Sequence, residues 1–304
     1  MTKKLLDFKT DPVQALTLEE LKETIDERNI GGNPVSGIVH HVLLERLKEM
    51  LEQNDLPYEM MPVYATSGGA SAFPGVTKFP VVESQFGKGS LQAHVLRRLI
   101  TGFNIMRGET EETTQSIAVA YHQQGIQVAF GPNVKICRNQ CIYGSRNRFQ
   151  TYGDDKMSVE RLFQIVTEWI HNYDAIRSRD LAILENMKKL MLNYENVCDI
   201  VGELTLKRLA KDSLHIASEF ILQQDQISKL SSKYLEYLKG GSKGLDFSRG
   251  IILYDFYNMI TEMYKPEHTD LPNIIGRNHL LGDYLIDKFE LAKDVEEVEF
   301  IEVE

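Results

Sequence analysis

The chain of 304 residues has only three cysteines, Cys137, Cys141 and Cys198. They are too few, and odd in number, for a disulfide framework, so a reducing compartment is expected. No stretch approaches 18 apolar residues, and no membrane-spanning helix is expected. The opening MTKKLLDFKTDPVQ carries three lysines but no apolar run of signal-peptide length. A cytoplasmic protein with no membrane association is the expectation. Positive charge is also in deficit: 34 Lys and Arg stand against 44 Asp and Glu, a net charge of −10. A surface coated with basic charge for gripping nucleic acid is thereby excluded. G-x-x-x-x-G-K-[ST] does not occur, so a phosphate-loop nucleotidase is disfavoured.

What is present is an ordinary folding composition, 42% hydrophobic and 26% charged, with 13 each of Tyr and Phe. Thr17 with Glu20 forms a capping-box signature, and Leu18, Leu21 and Ile25 follow at helical spacing until Gly31-Gly32-Asn33-Pro34. A second helix is expected from near Ser36 to Asn54, and the pair reads as an N-terminal helical hairpin over residues 1–55. Residues 57–89, broken by prolines and by Thr66 to Ser71, suit irregular strands and loops. Four β-branched or aromatic segments, 96–106, 116–121, 126–130 and 134–143, are joined by connections so short that the strands must run antiparallel.

A β-rich region with this meander is assigned to 56–153, and helical sequence to 154–293. One long helix is expected from Ser158, its continuation to Leu192 left open. An apolar-periodic run spans Val197 to Leu238, a Gly-rich break covers Lys239 to Gly244, and helical blocks fall at 248–264 and 274–291. Residues 294–304 form an acidic tail, six of whose eleven residues are carboxylates. The expected fold is therefore α+β, an antiparallel meander flanked by the hairpin and a large helical C-terminal half packed on one sheet face.

The charge is unevenly distributed. Residues 1–83 carry a net −5, residues 84–153 a net +5 and residues 154–304 a net −10. From Thr113 to Gly153 there is no carboxylate, where the chain average would place about six. The end of that gap interleaves Lys135, Arg138, Arg146 and Arg148 with Tyr143, Phe149 and Tyr152, and with Asn139 among several amides. Cations for phosphates, rings for stacking and amides for base edges are what a single-stranded nucleic-acid surface uses. The alternative is that buried strands exclude acids anyway and the cations form a solvated rim.

Other candidate chemistry is thinner. Cys137 and Cys141 could supply half of a zinc site with His122, but their C-x3-C spacing fits two buried core cysteines better, and no metal site is assigned. In His40-His41 with Glu45, His41 and Glu45 lie four apart on a helix, a spacing open to metal binding or acid–base work. Beside Arg46, Lys48 and Glu49 the group reads instead as a solvated polar face. No cofactor is expected, and the reading leans away from an enzyme.

Val134 to Gly144, following Ile126 to Gly131, resembles the strand bearing a cysteine–asparagine element in phage- and plasmid-like families of unknown function, those numbered 932 and 3871. Leu253 to Glu262 resembles their later helical element, in which an aromatic–asparagine pair precedes a Thr-Glu step. The resemblance spans roughly residues 96–287. It implies a bacteriophage or mobile-element origin in a bacterial or infected-cell cytoplasm, draws attention to Asn139 and Asn258, and supplies no activity. Arg138 and Gln140 depart from the pattern.

The expected function is non-enzymatic binding of single-stranded nucleic acid through a basic, aromatic-bearing sheet, with Lys135, Arg138, Arg146 and Arg148 on phosphates, Tyr143, Phe149 and Tyr152 on bases and Asn139 adding polar contacts. The acidic tail would compete for that surface or dock a protein partner. Protein–protein interaction is the alternative, in a phage structure, on a host factor or as a homo-oligomer. A metal-dependent or acid–base enzyme is the third reading.

Overall fold

The computed structural model describes residues 13–26, 38–66, 95–96, 98–122, 125–134, 147–151, 156–214, 220–240, 244–264 and 274–295. Within them the architecture is α+β, with eight α-helices and an antiparallel seven-stranded sheet. Among the described residues no helix is long and apolar enough to cross a membrane.

The chain enters as β1 (Gln14–Leu16) and turns at Thr17 into α1 (Leu18–Glu23). The capping box forms: the Thr17 hydroxyl accepts from the Glu20 amide, and the Glu20 carboxylate accepts from the Thr17 amide at 3.0 Å. The helix is shorter than its apolar spacing predicts. Thr24 is already extended, and Ile25 belongs to β2 (Ile25–Asp26). β-Branched Thr24 and Ile25 lose side-chain freedom in a helix and fit a strand better. The second helix, α2 (His40–Gln53), begins later than expected and buries Leu43, Leu44, Leu47 and Leu51. Lys22 bonds Glu45 at 2.9 Å and ties the two helices together.

The stretch after α2 supplies β3 (Tyr58–Met60) and β4 (Val63–Thr66), then β5 (Val95–Leu96), which pairs in parallel with β2. The meander follows as β6 (Arg98–Ile105), β7 (Thr113–His122) and β8 (Gly125–Val134), and β9 (Arg148–Gln150) closes it. The sheet order is β1-β4-β6-β7-β8-β9, with β3 beside β4 on the same edge of β6.

Alternation divides the sheet into unlike faces. Leu99, Phe103, Ile117, Val119, Tyr121, Ile126, Val128 and Phe130 fill one; Ile100, Ala118, Ala120 and Ala129 occupy the other. Gly102 lies on the smaller-residue face, where a Cβ would stand 3.2 Å from the Met61 sulfur and 3.0 Å from the Ile117 carbonyl oxygen. The sheet can therefore be covered closely there.

The bulky face packs against α2 and α3 (Lys156–His171), through Leu162, Phe163, Val166 and Trp169. The expected long helix breaks at Asn172, whose side-chain amide donates to the Glu168 carbonyl at 2.8 Å, and α4 (Tyr173–Lys189) starts anew. Tyr173 and Ile176 of α4 belong to the first core, whereas Ile183, Leu184 and Met187 belong to the second.

The second core is completed by α5 (Tyr194–Leu214), which follows β10 (Met191–Leu192), and by α6 (Gln224–Lys239). It also takes in β11 (Ile251–Ile252), α7 (Leu253–Thr261) and α8 (Ile274–Lys288). Helix α8 touches β7 and β8, so the small-residue face is also covered. Each side chain fully buried in these cores contributes roughly 1.5–3 kcal/mol of transfer free energy. Helices thus pack on both faces of the sheet, whereas the pattern of the chain suggests one.

Candidate nucleic-acid interface

The expected site falls on the connection from β8 to β9. Lys135, Arg138, Asn139, Tyr143, Arg146 and Tyr152 lie outside the described residues, as do Cys137 and Cys141. Arg148 and Phe149 are placed, and the strand separates them.

β9 pairs with β8 in the register Ala129↔Arg148, Val128↔Phe149 and Gln127↔Gln150. Phe149 therefore turns toward the bulky face and packs against the first core. It is a partly buried core contact in this structure. Arg148 turns the other way, half-buried, and donates to Gln150 Oε1 at 3.1 Å. Gln127 Nε2 donates to the same oxygen at 3.0 Å. A Cβ on Gly276, in the first turn of α8, would stand 3.3 Å from the Arg148 guanidinium, so that glycine makes room for it. Arg148 is thus held at the junction of β9 and α8.

The turn into β8 depends on another close approach. Gly125 has φ +133°, and a Cβ there would fall 2.1 Å from the Thr151 carbonyl oxygen. Thr151 then fastens the end of β9: its hydroxyl accepts from the Ile126 amide at 2.8 Å, and its own amide donates to the Ile126 carbonyl at 2.9 Å. Asn147 is fully buried and its carbonyl accepts from the Phe130 amide, extending the ladder by one residue.

Burial also divides the acid-free gap. Thr113 to Tyr121 and Gly125 to Asn133 are all buried, and a carboxylate there would carry a large desolvation penalty. That half of the gap follows from packing alone. The remainder, 135–153, holds all four of the nominated cations. Elsewhere in the basic segment, Arg107 bonds Asp174 at 2.7 Å, and Glu112, from the acidic turn before β7, bonds Lys188 at 2.6 Å.

Other nominated residues have structural surroundings. Glu45 is taken by Lys22, as above, and His41 is partly buried on the same helix. His40 is fully buried, its ring 4.1 Å from that of Tyr121, which corrects its placement on a solvated polar face. Its sequence signal is the phase it shares with Leu43, Leu44 and Leu47. Asn258 lies partly buried on α7, its carbonyl accepting from the Thr261 hydroxyl at 3.2 Å. Among the described residues no three His, Cys, Asp or Glu side chains converge as a metal site would require.

Asp180 is an ionisable group that no motif in the sequence marks. It is 2% exposed, and Gln115 Nε2 of β7 donates to its Oδ2 at 2.8 Å. Burial pushes its carboxyl up to about 7, while the Gln115 bond and the nearby Arg179 charge pull the other way. Its one signal is spacing, four residues after Ile176 and three before Ile183, a core phase for an acid. Burial likewise pushes the Tyr173 phenol up to about 12. No family model, no curated protein and no solved structure matches the chain.

Proposed function

We propose that the protein binds single-stranded nucleic acid at the β9 edge of its sheet, through the acid-free segment that leaves β8 at Val134 and re-enters the sheet at Arg148. The observation that carries this reading is the division of the carboxylate gap. Packing accounts for its absence of acids through Asn133, but the following residues combine Lys135, Arg138 and Arg146 with Tyr143, Tyr152 and Asn139. Both sheet faces are occupied by helices, so the edge and its connection take the place of an open face. The three cations would hold phosphates, Tyr143 and Tyr152 would stack bases, and Asn139 would add polar contacts. Arg148 and Phe149 fasten the edge, one beside α8 and the other on the core.

Fluorescence anisotropy with labelled oligo-dT and oligo-U tests the reading. Binding is expected at low salt and should weaken as salt rises. Replacing Lys135, Arg138 and Arg146 together by alanine should reduce affinity at least about 10-fold. The same change should flatten the log–log salt slope by about 2, since each single-strand phosphate no longer neutralised removes roughly 0.7. Deleting residues 296–304 removes carboxylates that compete for the cations, and should strengthen binding. If neither the full chain nor the tail-less protein binds at low salt, the reading is wrong.

A further inference from the structure

Asp180 stands where α4 passes from one core to the other. Ile176 belongs to the first core and Ile183 to the second. Between them Ser178 is exposed, and Arg177, Arg179, Leu181 and Ala182 are half-buried; Asp180 is the one fully enclosed side chain of that stretch. The part of α4 that joins the cores is therefore drawn inward mainly by a carboxyl. An apolar residue at the same phase would hold it by burial alone, whatever the pH.

The hold is polar and incomplete. Gln115 Nε2 donates to Oδ2 at 2.8 Å, while Oδ1, equally shut off from solvent, has no hydrogen-bond partner. Around it charge is scarce. β7, β8 and β11 contain no Lys, Arg, Asp or Glu, and the Tyr121 and His122 of β7 lie at its far end. α7, packed along α4, brings the exposed Asp255 and the buried phenols Tyr254 and Tyr257. α3 ends at His171, two turns of helix before Asp180. On α4 itself Asp174 is bonded to Arg107, Arg177 to the Gly108 carbonyl, and Lys188 to Glu112 and Glu185. The charge that acts on Asp180 is Arg179, its neighbour in the chain. A carboxylate given one amide donor inside a core is poorly compensated, so the closed position suits the neutral acid.

We propose that Asp180 is a proton-operated latch: as the neutral acid it keeps the middle of α4 closed on β7, and losing the proton favours local unwinding of that stretch while both cores stay formed. The bonds of Asp174 and Arg177 on one side and of Lys188 on the other bound the stretch that opens. Such opening is a fluctuation of the native protein, short of global unfolding. Its direction with pH follows from linkage. Burial holds the enclosed carboxyl up to about 7, whereas in the opened, solvated stretch it ionises near 3.8. Opening is therefore least below about pH 4, grows about 10-fold per pH unit, and levels off above about 7.

Native-state hydrogen exchange of the full chain, read by mass spectrometry from about pH 5 to about 8 and corrected for the pH dependence of amide exchange itself, tests this. Peptides covering residues 177–184 should lose protection about 10-fold per pH unit up to about 7 and then level off. A peptide covering residues 43–51 of α2 should keep constant protection. Asp180→Asn should make the α4 peptides constant as well. Gln115→Met removes a bond that favours the ionised acid, and should carry the levelling-off to higher pH. Protection in α4 that ignores pH, an equal loss in α2, or an Asp180→Asn profile that follows the parent's would each overturn the proposal.

Discussion

Asp180 couples the stability of the protein to pH through one proton. The carboxyl is neutral in the fold up to about pH 7, whereas in the unfolded chain it ionises near its ordinary value of 3.8. Its raised folded value means that the stabilisation is complete below about pH 4 and declines as pH rises, until it is lost above about 7. Over that window the loss amounts to roughly 4 kcal/mol as an order of magnitude. Asp180→Asn keeps the shape and the Gln115 contact without the titration. Urea unfolding should show the variant gaining on the parent as pH rises from about 4 to about 8; parallel pH profiles would mean that Asp180 does not titrate in this way. His40 illustrates the same scale differently. A polar residue adjacent to another histidine reads as surface, yet its helical phase carries it onto Tyr121.

Elements are decided by closures between segments as much as by propensity. The Thr17 capping box is legible because it needs only four consecutive residues. The end of α1 is not, since it depends on β2 finding β5, whose Val95 is the partner of Ile25. β9 is a similar case: three residues have little strand tendency of their own, and pairing to β8 together with Thr151 defines them. Gly125→Ala forces a side chain into a left-handed backbone and against the Thr151 carbonyl. It should cost about 1–3 kcal/mol, visible as a lower urea midpoint, and weaken oligonucleotide binding although no cation is removed. Unchanged binding in a destabilised variant would separate the β9 edge from the proposed function.

Across the molecule, two apolar cores lie on opposite sides of one sheet, and α4 belongs to both. Tyr173 and Ile176 enter the first, Ile183 to Met187 the second. A shared sheet and a shared helix couple the cores, so unfolding should be a single transition. Trp169, the chain's one tryptophan, is buried in the first core, while five helices surround the second. Its fluorescence and far-ultraviolet circular dichroism should give coincident urea curves. Two separated midpoints would show that the cores unfold independently.

The sequence alone determined the antiparallel meander, because connections as short as 123–124 forbid parallel neighbours. It also determined the helical character of the C-terminal half, where apolar residues recur at helical spacing, and the local run of basic, aromatic and amide residues after β8. Only the tertiary structure decided which face each strand presents, that both faces are covered, and that Phe149 belongs to the core while Arg148 meets α8. Periodicity tells which residues share a side; it does not contain the distant segment that packs there. The same limit applies to α5, whose apolar residues look alike in sequence. Packing enclosed those of one side and left Leu206 and Leu209 outside.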